Sequence, residues 1–136
     1  MLPPGFELPV FAPERFEALR EEEGVRTLVA ERDGELVALT TFGTSRDPGA
    51  PPAVAEVRSF YVAPSTWRRG VGATLMSRSL AGLQEMGFAV ATLWSFAVNE
   101  RANAFYEAKG FSRDGAQRRE QVWANLLEVR YRRALP

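Results

Sequence analysis

The chain has 136 residues, of which 46% are hydrophobic and 25% charged, as is typical of one globular domain with a continuous core. It carries 17 Lys and Arg against 17 Asp and Glu, so its overall charge indicates neither nucleic acid nor an anionic membrane as a partner. Its first residues, MLPPGFELPV, have neither a charged leader nor a long apolar run, which predicts a cytoplasmic protein.

Cysteine and histidine are both absent from the sequence. Without cysteine there is no disulfide, thiolate nucleophile or cysteine zinc site. Without histidine the chain lacks the commonest metal ligand and general base, and also the Ser-His and Cys-His catalytic pairs. We therefore expect no metal, and any catalyst must use carboxylates, tyrosine, lysine, backbone amides or water.

The first half of the chain predicts a helix, a hairpin and a strand. Residues 13–23 (PERFEALREEE) have apolar residues at helical spacing. VRTLVAER and ELVALTTFG flank Asp33 and Gly34, a pair typical of a two-residue hairpin turn. After a loop at 45–52 that is rich in proline and glycine, residues 53–62 (AVAEVRSFYV) have the composition of a strand.

The second half alternates helices and strands. Residues 70–86 predict a helix with one apolar face, and 88–98 (FAVATLWSFAV) a buried strand. Asn99 is expected to cap a short helix that Gly110 ends. The segment EQVWANLLEVRYRRAL at 120–135 is expected to close the chain as two strands.

These elements define the expected fold class. The strand at 53–62, the helix at 70–86 and the strand at 88–98 should form one right-handed parallel β-α-β crossover. The other strands are joined by short turns and should pair antiparallel. The sequence therefore predicts an α+β domain, with a mixed, mostly antiparallel sheet and flanking helices.

The stretch YVAPSTWRRGVGATLM at 61–76 leads from strand to helix. A helix N-terminus has unpaired N–H groups and a positive charge of about half a unit. Gly70 and Gly72 would let a phosphate or pyrophosphate approach those amides, and Arg68 and Arg69 would add charge at the rim. The alternative is a surface turn with solvated arginines. Neither a Walker loop nor a dinucleotide fingerprint fits, because the required lysine and third glycine or alanine are missing.

Together with NERANAFYEAKGF at 99–111, this stretch resembles the GNAT superfamily of N-acetyltransferases, which move an acetyl group from acetyl-CoA to an amine. The family's first segment looks like Val-x-Pro and then (Gln/Arg)-x-x-Gly-x-(Gly/Ala), and its second like Asn-x-x-Ala-x-x-(Phe/Leu)-Tyr-x-x-x-Gly-Phe. The residues that match are Val62, Pro64, Gly70 and Gly72, then Asn99, Ala102, Phe105, Tyr106, Gly110 and Phe111. The resemblance covers roughly residues 54–133 and implies a GNAT-like sheet of about six to seven strands.

The resemblance also implies site residues. Tyr106 would hydrogen-bond or protonate the leaving CoA thiolate, and Glu56 would take the proton of the amine, directly or through water. Acetyl-CoA would bind with its pantetheine arm on the strand backbone and its diphosphate on the loop. The implied cofactor-binding residues are Phe60, Tyr61, Val62, Arg68, Arg69, Gly70, Val71, Gly72, Ala73, Asn99 and Tyr106.

Each of these roles has a structural alternative. Glu56 could point to solvent or pair with an arginine such as Arg58. Tyr106 could be a core aromatic residue, and Asn99 could do no more than cap its helix. Glu100 and Glu107 are weaker candidates for the base, because the pattern places both on a helix surface.

Three features depart from the family pattern. Trp67 stands at the family's Gln/Arg position, and Trp94 where some members carry a catalytic glutamate. Because amides hold the diphosphate, tryptophan at position 67 should alter the affinity for acetyl-CoA more than the identity of the ligand. Residues 1–24 are also short for the walls of an acceptor site. The site is thus expected to be open, to take a bulky acceptor, or to be completed by a second subunit in a homodimer.

The leading hypothesis is a single N-acetyltransferase domain that acts on a small-molecule or peptide amine. Direct transfer in a ternary complex is expected, because no cysteine is available for a covalent intermediate. A first alternative is a catalytically silent CoA-binding regulatory module of the same fold. A second is a domain that binds another phosphate ligand, which the failed motifs disfavour.

Overall fold

The computed structural model describes residues 24–67 and 69–136. The helix expected at 13–23, the residues before it and Arg68 lie outside these residues. The strands are β1 (Val25–Arg32), β2 (Glu35–Thr44), β3 (Val54–Val62), β4 (Val90–Phe96), β5 (Ser112–Arg119) and β6 (Leu127–Ala134). The described α-helices are α1 (Val71–Glu85) and α2 (Glu100–Ala108), and 3-10 turns lie at Pro64–Thr66 and Gln121–Trp123.

The strands form one six-stranded sheet in the order β1-β2-β3-β4-β6-β5. Its neighbouring strands are antiparallel except β3 and β4, which are parallel and joined through α1. This confirms the predicted α+β fold with a central β-α-β crossover. None of the helices in the described part of the chain is long and apolar enough to cross a membrane.

The central parallel pair is short and then opens. Only Val54–Glu56 pair with Val90–Thr92. Beyond this point β3 stays paired with β2 as far as Val62, and β4 stays paired with β6 as far as Phe96. The sheet therefore splits at the carboxyl ends of its two middle strands, and each leaves one backbone edge facing the opening.

Local signals account for the best-predicted elements. Asp33 and Gly34 both have positive φ, at 53° and 82°, as a two-residue hairpin turn of the I′ type requires. Helix α1 buries its apolar face against β1, β2 and β3. Its Gly82 permits close packing, because a Cβ there would lie 2.7 Å from the ring of Phe42.

Both helices pack on the same face of the sheet. Along β4, Leu93 belongs to the hydrophobic core, and the hydroxyl of Ser95 bonds Asn103 of α2. Because side chains alternate along a strand, Trp94 and Phe96 point away from the helices. We call the face that carries Trp94 and Phe96 the far face.

The prediction for residues 120–135 is wrong, because that segment contains one strand, β6, instead of two. Its partner β5 lies earlier, at Ser112–Arg119. The β5 sequence SRDGAQRR lacks apolar alternation because it forms an edge strand with mostly exposed side chains. The connection to β6 is a 3-10 turn followed by Ala124 and Asn125, whose φ angles of 56° and 58° interrupt any extended strand.

Candidate functional site

A groove of about 650 Å³ lies where β3 leaves β4, between the end of β3, the start of α1 and one side of α2. It brings together the two segments singled out in the sequence, although one helix and one strand separate them. The lining residues are Phe60, Tyr61, Val62, Pro64, Thr66, Trp67, Gly70, Gly72, Ala73, Asn99, Arg101, Ala102, Phe105, Tyr106, Ala108 and Lys109. The expected residues Arg69 and Val71 are not part of this lining.

The edge of β3 presents free backbone groups to the groove. Ala63 donates its N–H to the carbonyl of Val37 on β2 at 2.8 Å. Because these groups alternate in direction along a strand, Tyr61 turns its N–H and C=O towards β2, whereas Phe60 and Val62 turn theirs towards the opening. Tyr61 contributes a side chain that is half exposed.

The start of α1 supplies three further amides. Gly70 precedes the helix in a left-handed conformation, with φ 83°, and its carbonyl accepts the N–H of Thr74 at 3.1 Å. The N–H groups of Val71, Gly72 and Ala73 lie in the first turn, where no intrahelical acceptor exists. Among the described residues no side chain caps this helix. These amides are thus available to a bound anion.

Two of the expected residues contribute to this turn in other ways. Val71 is buried in the core and lies outside the groove lining, so that its predicted contact with the cofactor stays a prediction. Arg69 is exposed beside the turn. Gly72 borders the groove directly, because a Cβ at this position would lie 3.4–3.5 Å from Phe105 and Val62.

Tyr106 stands at the inner end of the groove. Its ring is 9% exposed and packs among Phe60, Phe105, Phe111 and Tyr131, with ring centroids 5.7–6.4 Å away. Burial raises the pKa of Tyr106 to about 12, so its phenol is protonated at neutral pH. No hydrogen bond among the described residues uses this hydroxyl, which leaves it free to donate to a ligand.

Two asparagines hold α2 beside the opening. Asn99 caps the helix, as predicted, because its Oδ1 accepts the N–H of Ala102 at 3.2 Å. Asn103 is buried; its Oδ1 accepts the hydroxyl of Ser95 at 2.6 Å, and its Nδ2 donates to the carbonyl of Phe96 at 3.2 Å. The sequence analysis missed Asn103, although a polar residue inside a short helix is a signal that could have suggested it.

The rim of the groove carries cations that the sequence analysis did not name. The guanidinium of Arg101 lies 4.1 Å from the ring centre of Trp67, whose indole N–H donates to the carbonyl of Val62 at 2.9 Å. The ammonium of Lys109 lies 5.8 Å from the ring centre of Phe105. Both cations occur in the second motif segment, and only the fold shows that they reach the groove.

Glu56 lies on the far face and outside the groove lining. It is 1% exposed and is the last residue of β3 that pairs with β4, opposite Thr92. Its Oε2 accepts from Nη2 of Arg46 at 2.8 Å, and its Oε1 accepts the backbone N–H of Arg46 at 2.8 Å. This hydrogen bonding raises the pKa of Arg46. The arginine that pairs with Glu56 is therefore Arg46, and not the Arg58 considered from the sequence.

Further charged groups lie on the far face around Trp94. Asp47 accepts the indole N–H of Trp94 at 2.8 Å and lies 3.3 Å from Arg130. Arg118 stacks 4.2 Å from the ring centre of Trp94 and pairs with Glu128 at 3.1 Å. Trp94 stands at the position where some members of the resembled family carry a glutamate, and these contacts fix it within a network of ion pairs.

Comparisons with known proteins agree on one family. The sequence profile of the acetyltransferase (GNAT) family matches residues 2–111. A protein of Mycobacterium tuberculosis named "Probable N-acetyltransferase" is 33% identical over 101 residues, which are 74% of this chain and 53% of that protein. The chain thus spans about half the length of this curated relative.

Solved structures show the same architecture. The ribosomal-protein-S18-alanine N-acetyltransferase from Escherichia coli has a TM-score of 0.68 at 21% identity, covering 90% of this chain and 76% of that one. Nourseothricin acetyltransferase has a TM-score of 0.71 at 22% identity, covering 87% and 69%. At such low identities the likeness shows a shared fold.

Proposed function

The chain belongs to the GNAT acetyltransferase family, and we propose that it transfers an acetyl group from acetyl-CoA to a primary amine by direct attack in a ternary complex. The observation that carries this proposal is the groove at the split in the sheet. There the free amides of α1, the unpaired edge of β3 and the protonated phenol of Tyr106 line one cavity.

The groove offers a binding region for each part of the cofactor. The amides of residues 71–73 suit a diphosphate, and Arg101 and Lys109 add positive charge nearby. The pantetheine arm would bond to the edge of β3. Because Trp67 already occupies the carbonyl of Val62, we propose that the arm uses the N–H of Val62 and the backbone groups of Phe60.

The proposed reaction forms a bond between the amine nitrogen and the acetyl carbon, and then breaks the bond from that carbon to sulfur. An N–H at the β3 edge would stabilise the developing oxyanion. The pKa of Tyr106, about 12, lies well above that of a thiol, roughly 8.5. Tyr106 is therefore better suited to hydrogen-bond the leaving thiolate than to give it a proton.

The amine must lose its own proton before it attacks, and we propose Glu56 as the acceptor of that proton. Both carboxylate oxygens of Glu56 already accept hydrogen bonds from Arg46. The proton would therefore travel through water between the opening and the far face. In the described part of the chain no cluster of acidic side chains could hold a metal ion to replace this base.

The second candidate function is a CoA-binding module without catalysis. The observation that favours it is on the far face, where Trp94 occupies the position of a glutamate found in some relatives and is itself held by paired side chains. Its indole N–H is bonded to Asp47 and its ring is stacked on Arg118. Such a module would bind acetyl-CoA in the same groove and would release no CoA.

Two measurements on the purified protein separate these functions. First, thermal unfolding is followed with acetyl-CoA, ATP or NAD; a ligand at a hundred times its Kd stabilises by about 2.7 kcal/mol. Stabilisation by acetyl-CoA alone is expected, whereas stabilisation by another nucleotide alone would exclude both candidates. Second, release of free CoA is measured over a panel of primary amines. Binding of acetyl-CoA without amine-dependent release would establish the silent module.

A further inference from the structure

Exposed apolar side chains are concentrated where β4 ends. Two segments lie there, one after β4 and one before β6, and the N–H of Ala97 joins them by donating to the carbonyl of Leu127 at 2.9 Å. The large hydrophobic residues exposed on these segments are Val98 (74%), Val122 (77%), Trp123 (51%) and Leu126 (44%). We call these four residues, together with Phe96, the apolar rim.

The apolar rim borders the split in the sheet from the far face. Phe96 is the last residue of β4, and its ring meets that of Trp123 edge to face, with centroids 6.0 Å apart. Because β4 has no partner on the β3 side beyond Thr92, Phe96 stands at the open edge. The cofactor groove reaches this split from the helix face. A molecule on the rim would thus meet the proposed thioester site from the other side.

The charge next to the rim favours a cation. Glu128 lies directly opposite Phe96 across the β4–β6 pair, so both side chains are on the far face. It is 5% exposed, and its buried Oε2 has no hydrogen-bond partner among residues 24–67 and 69–136. Its partner Arg118 also lies within 4 Å of Asp47 and Glu120. Arg130 pairs with Asp47 and with Asp114, so that two guanidinium groups serve four carboxylates.

We propose, on the basis of the acetyltransferase function above, that the acceptor is a primary amine bearing an apolar or aromatic group. That group lies on the apolar rim around Trp123, and the nitrogen, held near the negative charge of Glu128 while protonated, reaches the split in the sheet. A polyhydroxylated amine would leave the apolar side chains in water and gain nothing from their burial. Because the apolar rim and the groove border the same split in the sheet, we assign the rim to the acceptor rather than to another partner.

The test compares 2-phenylethylamine with ethanolamine as acceptors, using acetyl-CoA and the release of free CoA. Both are primary amines on a two-carbon chain, and they differ in an apolar against a polar substituent. For the unmodified protein kcat/KM should be at least about tenfold higher for 2-phenylethylamine. Trp123→Ala should lower that value about tenfold, mainly by raising KM, and should leave the value for ethanolamine unchanged.

Leu36→Ala is the matched control, because Leu36 is also 50% exposed but lies in the β1–β2 hairpin at the other side of the sheet. It should change neither substrate. Equal kcat/KM for the two amines in the unmodified protein would overturn the proposal and leave the acetyltransferase function intact. So would an equal loss on both amines in Trp123→Ala.

A binding measurement keeps the proposal testable if no acetyl transfer occurs. Calorimetry with CoA present would compare N-(2-phenylethyl)acetamide with N-(2-hydroxyethyl)acetamide, the two products. The phenyl product should bind at least about tenfold more tightly, and Trp123→Ala should remove that preference. No binding, or binding that ignores Trp123, overturns the proposal. A change of oligomeric state in Trp123→Ala without a change in amine preference would also overturn it, and would assign the rim to contact between two copies of the chain.

Discussion

The groove on the helix face and the charged network on the far face use their polar groups in opposite ways. In the groove, the first amides of α1 and the hydroxyl of Tyr106 have no partner among the described residues, and on the open edge of β3 only the carbonyl of Val62 is bonded, to the indole N–H of Trp67. On the far face, Glu56 is bonded to Arg46, and Asp47 is bonded to Trp94. The groove is therefore our candidate for the ligand site, because its polar groups are available, whereas those of the far face are already paired.

The physical origin of the contrast is the kind of group involved. A helix start and a strand that leaves its neighbour expose backbone N–H groups whatever their side chains are. A buried carboxylate, in contrast, is costly without a hydrogen-bonded partner, and so the fold supplies arginines. Glu128 is the exception within the far face, because in the described part of the chain one of its oxygens has no partner.

The largest expected effect tests whether the far face takes part in chemistry at all. If Glu56 receives the amine proton, Glu56→Gln should lower kcat/KM about 10³-fold at pH 7. Acetyl-CoA affinity should not change. Glu100→Gln, an exposed acid in the first turn of α2, is the matched control and should keep its rate.

A Glu56→Gln variant that folds normally and keeps its rate within a few-fold would contradict the role of Glu56 as the base. Glu56 would then be a structural partner of Arg46, and the far face would serve the fold alone. Circular dichroism and thermal unfolding of the same preparation show whether the variant is folded.

The next effect tests the groove. Tyr106→Phe should lower kcat about a hundredfold, as expected for the loss of one donor to developing negative charge, with little change in the Kd of acetyl-CoA. Tyr131→Phe is the matched control; it removes a buried tyrosine hydroxyl that bonds Glu107 at 3.0 Å, away from the groove lining. An unchanged kcat in Tyr106→Phe would leave its ring as a packing element only.

The pH dependence of the unmodified protein gives the same test without a mutation. Burial raises the pKa of Tyr106 to about 12, whereas an exposed tyrosine ionises near 10. The protonated donor therefore persists as the pH rises, and kcat should not decline between pH 8 and 10 through loss of this proton. A decline there that is absent from Tyr106→Phe would contradict the role of burial.

The smallest effect tests how closely the cofactor approaches α1. Gly72→Val should weaken acetyl-CoA binding about tenfold in calorimetry, because its methyl groups would occupy the space above the first amides of the helix. Gly72→Ala is the matched control, since its Cβ would make only ordinary contacts of 3.4–3.5 Å with Phe105 and Val62. Equal affinity in all three proteins would place the diphosphate elsewhere.

Several features of the groove could be predicted because they depend on local sequence. The glycine before α1 and the capping by Asn99 each follow from the conformation of one residue, as does, away from the groove, the Asp33-Gly34 turn from two. The edge strand β5 could not be located in this way. Its side chains are mostly exposed, so no burial imposed an alternating pattern on the sequence.

The contacts between side chains of different segments could not be predicted from the sequence. Arg46 and Glu56 are ten residues apart and meet only because the loop after β2 folds over the far face. Trp67 and Arg101 meet across the groove, and Asn103 reaches the end of β4 only through the packing of α2. No spacing within a single segment encodes these contacts.

The sequence by itself determined the α+β class, the two motif segments and the helix start that we propose to hold an anion, because propensity, capping and glycine conformation are local properties. Only the tertiary structure decided where the sheet splits, which carboxylates are neutralised and which apolar residues remain exposed. Those outcomes depend on contacts between distant segments, and the local sequence does not determine the energies of such contacts.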